Sequence, residues 1–143
     1  PPGRDAAWVV LETPLAPARY RVLLVEDNLV NQKVGAKMLA KLGCRVDVAA
    51  NGKEAVRMVE QGAYDIVFMD CQMPEMDGYE AAAEIRRRFG PQPPIVALTA
   101  SAIGQDRDKC LKVGMNAFMS KPVTQEELQA ALERWCPKPV QVQ

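Results

Sequence analysis

DIVFMDCQMPEMDG, residues 65–78, is the stretch from which the rest of the chain can be placed. Ile66, Val67, Phe68 and Met69 form a short apolar run, the pattern of a fully buried strand. Asp70 stands at its end, a turn with Pro74 and Gly78 follows, and a helical pattern then resumes. A carboxylate at the end of a buried strand is costly unless something binds it. Open α/β sheets place ligands just outside that edge of the sheet. Asp70 therefore reads as a phosphate acceptor around which other polar residues gather.

Outward from this stretch, residues 22–25, 46–49, 95–98 and 117–119 read as four further short strands. Helical patterns lie between and after them, over about 29–42, 51–62, 79–89, 105–113 and 124–135. The first places Val30, Val34, Met38 and Leu42 at helical spacing, an apolar face expected to pack inward, and Gly43 closes it. Asn51 with Glu54, and Thr124 with Glu127, mark two helix starts. Leu128, Leu132 and Trp135 are the buried positions expected of the last helix. Arg86, Arg87 and Arg88 read as a solvated basic face. Strict alternation of strand and helix argues for a five-stranded parallel sheet with helices on both faces. Right-handed crossovers then restrict its topology.

Composition narrows the function. The 143 residues suffice for one domain with a real core, and 18 Lys+Arg balance 18 Asp+Glu, which argues against nucleic acid or an anionic membrane held by bulk charge. No apolar run approaches the roughly 20 residues of a membrane span, and none reads as a signal peptide. Cys44, Cys71, Cys110 and Cys136 are widely spaced with no CxxC, as expected of reduced, buried thiols in the cytoplasm rather than a zinc site. The absence of histidine excludes Ser-His-Asp and Cys-His catalysis within this chain. Proline-bearing residues 1–19 read as a linker or the end of a preceding module, with Trp8–Leu11 an ordered piece of that linker in preference to a strand or docking segment. Residues 20–136 form the expected domain and 137–143 a flexible tail, and the Pro1-Pro2 start reads as a piece of a longer protein.

Each remaining candidate falls at the carboxyl end of a different strand. Glu26 and Asp27 follow the first, Asp70 the third, Thr99 the fourth and Lys121 the fifth. In a parallel sheet these ends share one edge. Two carboxylates about 4 Å apart repel by about 4 kcal/mol at an effective dielectric of ~20, so one is protonated or a cation sits between them. Oxygen ligands alone point to Mg²⁺, with Mn²⁺ as a substitute. Lys121 adds a charge that can hold a phosphoryl oxygen and Thr99 a hydroxyl donor. Such parts serve phosphoryl transfer, with Asp70 as nucleophile.

VLLVEDN, DIVFMDCQMPEMDG, PIVALTA and AFMSKPV together resemble the receiver domains of two-component response regulators, over residues 20–135. The spellings VEDNLVNQKV and MDCQMPEMDGYEA are similar to receivers fused to hybrid sensor histidine kinases. The resemblance implies a flavodoxin-like fold with strand order 2-1-3-4-5 and transfer from a phosphohistidine, on a histidine kinase or histidine-phosphotransfer domain, to Asp70. It also implies that Asp27 binds the metal directly, Glu26 mainly through water, and Gln72 through its backbone carbonyl. Lys121 matches the phosphate-pairing lysine, Thr99 the switch hydroxyl, Ala100 the backbone N–H donor and Phe118 the aromatic switch position. A cis Lys121–Pro122 bond is expected on the same ground.

Other readings stand beside these. The lesser readings are core packing for Phe118 and a solvated carboxylate for Glu26, while Cys71, next to Asp70, reads as a packed thiol in preference to a redox group. A stand-alone receiver is one alternative to a hybrid-kinase module. Another is an aspartyl-nucleophile phosphatase, which would carry a second Asp two positions after the first, where this chain has Gln72. A scaffold that is never phosphorylated is opposed by the intact acidic pair, acceptor and lysine. The segment reads as a self-catalysing acceptor, not as a turnover enzyme.

Overall fold

Five strands and five helices alternate along the chain in a computed structural model that describes residues 20–73, 75–100 and 104–136. The head through residue 19 with its Trp8–Leu11 segment, Pro74, Ser101 and the tail 137–143 lie outside the described residues. In chain order the elements are β1 (Arg21–Val25), α1 (Leu29–Lys41), β2 (Arg45–Ala49), α2 (Gly52–Gln61) and β3 (Ile66–Asp70). They continue as α3 (Gly78–Phe89), β4 (Ile95–Thr99), α4 (Gly104–Lys112), β5 (Ala117–Ser120) and α5 (Gln125–Trp135). All neighbouring strands pair in parallel, in the order β2-β1-β3-β4-β5. Strand order reverses between β1 and β3, which opens a crevice at their carboxyl ends.

The apolar strand runs are continuous because both faces are covered; every residue of β3 and β4 is buried. Val22, Leu24, Ile66, Phe68, Val96 and Leu98 pack with Leu39 of α1 and Leu128, Ala131 and Leu132 of α5. Their alternates Leu23, Val25, Val67, Met69, Ile95 and Ala97 pack with α2, α3 and Cys110 of α4. Phe68 is the largest of the fully buried side chains, and its truncation to Ala would cost about 3–5 kcal/mol.

Helix starts are set by side-chain caps. Asn28, Asn51, Asp77 and Thr124 accept the N–H of the residue three positions on, and Asp77–Glu80 and Thr124–Glu127 are reciprocal capping boxes. The Asp77–Glu80 box was legible in the sequence as D-x-x-E ahead of an apolar run.

Three expectations need correction. The inward face of α1 is Gly35 and Leu39, while Val30 and Val34 are 67% and 51% exposed and Met38 and Leu42 half-buried. Gly35 explains the rotation: a Cβ there would come within 2.9 Å of Leu24 Cδ2, so the helix lies close to β1 only on its glycine side. Arg86 is not on a solvated face. Its Nε donates to Gly114 O at 2.8 Å and its NH2 to Asn116 Oδ1 at 2.9 Å, tying α3 to the turn before β5. Arg87 and Arg88 are exposed and pair with Glu84. Trp135 is only half-buried, its ring lying 4.5 Å from the Arg134 guanidinium carbon. The Lys121–Pro122 peptide is cis, and so is Gln92–Pro93.

Candidate functional site

Parallel register carries the polar residues to one edge. Val25 pairs with Met69, so Glu26 and Asp70, each the next residue, leave the sheet at the same level. Asp70 lies opposite Leu98 and Thr99 opposite Ser120, which puts Lys121 one step beyond. The Lys121 N–H donates to Thr99 O at 2.8 Å, holding the end of β5 against that of β4.

At this edge the carboxylates converge. One ligand oxygen from each of Glu26, Asp27 and Asp70 falls within 4.8 Å of the others. Glu26 and Asp70 are buried, at 2% and 4% exposure, whereas Asp27 is open to solvent. The Lys121 ammonium bridges the two buried groups, 3.1 Å from Asp70 Oδ2 and 3.2 Å from Glu26 Oε1. Burial by itself lowers the affinity of Lys121 for its proton. The hydrogen bond and charge of Asp70, with those of Glu26, outweigh it and hold the ammonium above its ordinary range.

Backbone groups complete the cradle. The Gln72 N–H donates to Asp70 Oδ1 at 3.1 Å, and the Asn28 N–H to Glu26 Oε2 at 3.2 Å. Gly78 allows the β3–α3 loop to fold back on Asp70, since a Cβ there would sit 2.2 Å from Asp70 O. Thr99 is buried at the end of β4, and Ala100 after it is exposed at the same edge. Phe118 is half-buried and lines a cavity of about 260 Å³ with Arg107, Cys110 and Leu111 of α4. The Cys71 thiol is buried beside Asp70, and burial pushes its pKa up to about 12, as expected of a packed thiol.

Three carboxylates against one ammonium leave this edge with excess negative charge. All the side-chain donors are carboxylate oxygens, a set that suits a hard divalent cation keeping several waters. Gly78 had no functional reading in the sequence, because it acts through a contact with residues well before it.

Residues 22–133 match the family described as the response regulator receiver domain, and the chain belongs to that family. It is a receiver domain of the two-component phosphorelay type. Among curated relatives it is 48% identical over 120 residues to hybrid signal transduction histidine kinase B of Dictyostelium discoideum, covering 76% of this chain but 6% of that protein. The chain therefore spans a small part of this relative. The receiver domain of the Pseudomonas aeruginosa PAO1 sensor histidine kinase PA1611, solved with a magnesium ion coordinated in its active-site cleft, is 50% identical with a TM-score of 0.76. That match covers 82% of this chain and 98% of the other. The receiver domain of the Saccharomyces cerevisiae response regulator Ssk1, crystallised with the histidine phosphotransfer protein Ypd1, is similar at 36% identity and a TM-score of 0.76. Here 85% of this chain and 91% of that one are covered. No helix among the described residues is long and apolar enough to cross a membrane.

Proposed function

We propose that Asp70 accepts a phosphoryl group from a phosphohistidine, and that the domain, residues 20–136, changes conformation in response. One observation carries the reading: the buried Asp70 carboxylate sits within 4.8 Å of two further carboxylates and 3.1 Å from Lys121 Nζ. A bound Mg²⁺, held by Asp27, Asp70 and the Gln72 carbonyl and through water by Glu26, would neutralise charge on the transferred group. Mn²⁺ is the natural substitute.

The chemistry of the chain's own groups follows. An Asp70 oxygen attacks phosphorus in line as the P–N bond to the donor imidazole breaks, and the imidazole leaves with a proton from solvent. Lys121 then pairs with a phosphoryl oxygen. The Thr99 hydroxyl and the Ala100 N–H close on the new dianion, which gives Phe118 room to turn. The Gln72 side chain, two residues past the acceptor, tunes access of water to the acyl phosphate.

Because the chain has no histidine, the donor is a separate kinase or phosphotransfer domain. The likeness to hybrid kinases favours a receiver module of such a protein over a stand-alone regulator. Four buried cysteines, none of them in a disulfide, suit the reducing cytoplasm. Gln72 in place of a second acid two residues after Asp70 speaks against a phosphatase.

Incubation with acetyl phosphate and Mg²⁺ followed by intact mass measurement tests the reading. One added phosphoryl group on native protein, and none on Asp70→Asn or after chelation, is the expected result. No addition to native protein, or an equal addition to Asp70→Asn, overturns it.

A further inference from the structure

We infer that Gln32, on α1, is a positioning residue for the metal-binding acidic turn, an assignment that rests on the phosphoacceptor reading above. Its side-chain Nε2 donates to the main-chain carbonyl of Glu26 at 2.7 Å, six residues back. That carbonyl belongs to the same planar peptide unit as the Asp27 N–H. Fixing its direction therefore fixes the orientation of the backbone from which the Asp27 side chain leaves. The opposite side of Glu26 is held as well, since its N–H donates to Ala49 O at 3.0 Å on β2. Its carboxylate accepts the Asn28 N–H and pairs with Lys121.

Asp27 needs this support more than its neighbours. Glu26 and Asp70 are buried and bonded to Lys121, but Asp27 is exposed, past the last residue of β1 and ahead of the first of α1. The anchor is itself rigid. Gln32 sits in the first turns of a helix capped by Asn28, whose Oδ1 accepts Asn31 N–H at 3.0 Å and whose carbonyl accepts Gln32 N–H at 2.9 Å. The helix thus reaches back with one carboxamide and braces the loop that precedes it. Preorganising an exposed ligand in this way raises metal affinity without contact with the metal, because the freedom of Asp27 is lost on folding and not on binding.

Gln32→Met removes the donor while keeping side-chain length and helix propensity. Mn²⁺ titration followed by electron paramagnetic resonance on the whole chain reads the affinity, with Lys33→Met, on the exposed side of the same turn, as a control. The expected result is about 3- to 10-fold weaker Mn²⁺ binding by Gln32→Met, the size of one lost hydrogen bond. Lys33→Met retains native affinity, and both variants keep the native thermal midpoint to within a few degrees. Acetyl phosphate kinetics provide the split: the Mg²⁺ concentration for half-maximal rate rises in Gln32→Met while the saturating rate stays within about twofold. Native affinity in Gln32→Met overturns the assignment. So does a fall in saturating rate with unchanged affinity, or a loss that follows unfolding of the variant. Native protein that binds no Mn²⁺ overturns instead the reading on which the assignment rests.

Discussion

The two ends of the sheet carry similar residues and use them differently. Toward the amino edge, Arg21 approaches Asp47, the middle residue of β2, at 3.7 Å, Tyr64 donates to Asp47 Oδ2 at 2.7 Å, and Asp65 Oδ2 accepts the Arg21 backbone N–H at 2.8 Å. The Arg21 guanidinium carbon also lies 5.1 Å from the Tyr64 ring centre. Each carboxylate there meets a donor or a cation of the chain. At the carboxyl edge Lys121 pairs with Glu26 and Asp70, Asp27 adds a third carboxylate with no ion pair among the described residues, and a local surplus of negative charge remains. One edge balances its charges within the chain, with only the buried Arg21 Nε left without a hydrogen-bond partner among the described residues, and serves stability. The other is completed by something from outside, and the strain of like charges is the feature that makes it a binding site.

The largest effect expected is on the carboxyl edge. Lys121→Met leaves two buried carboxylates facing each other and should destabilise the fold by about 2 kcal/mol, less than for a wholly buried pair because the Lys121 side chain is 29% exposed. Denaturant titration in chelator measures it, and an unchanged midpoint would mean that the surplus charge is already dispersed into solvent.

A matched pair of substitutions tests the contrast itself. Asp27→Asn removes a repelling charge and should raise metal-free stability by up to about 1 kcal/mol, while Asp47→Asn weakens the Tyr64 and Arg21 contacts and should lower it by about 1 kcal/mol. Mg²⁺ should raise the thermal midpoint of native protein and of Asp47→Asn, but not of Asp27→Asn. The same sign for both substitutions would erase the distinction between the edges.

Near neutrality the smallest effect is that of pH. Burial pushes the Cys71 and Cys136 thiols from an ordinary 9.0 to about 12, and burial with the Asp47 hydrogen bond takes Tyr64 from 10.0 to about 12. Lys121 is likewise held above its ordinary 10.5. In each case the folded state keeps a proton that the unfolded chain releases. Stability from these groups is thus complete below pH 9 and falls as pH rises through 9–12. Denaturation midpoints measured from pH 7 to 11 should stay level and then drop; a rise above pH 9 would contradict the burial of these groups.

Much of the fold was legible because parallel strands buried on both faces write uninterrupted apolar strings, and polar residues end them. The strings before Glu26, Asp70, Thr99 and Lys121 located the strands and the shared edge together. The face of α1 was misread because a glycine leaves no mark in an apolar periodicity, yet Gly35 decides which side of the helix can approach Leu24. Arg86 was misread for a different reason. Its partners Gly114 and Asn116 lie 28 and 30 residues later, and nothing local separates it from the exposed Arg87 and Arg88. Gln32 is a similar case: a polar residue on a helix carries no sequence sign that its carboxamide grips the turn before it.

The central claim is that the excess negative edge exists to take a cation and a phosphoryl group at Asp70. Reductive trapping addresses it most directly: borohydride converts an aspartyl phosphate to homoserine, which tandem mass spectrometry places in the sequence. After acetyl phosphate and Mg²⁺, the account expects homoserine at position 70 alone and none when the metal is chelated. Conversion at another carboxylate, or the same conversion without a divalent ion, would contradict it.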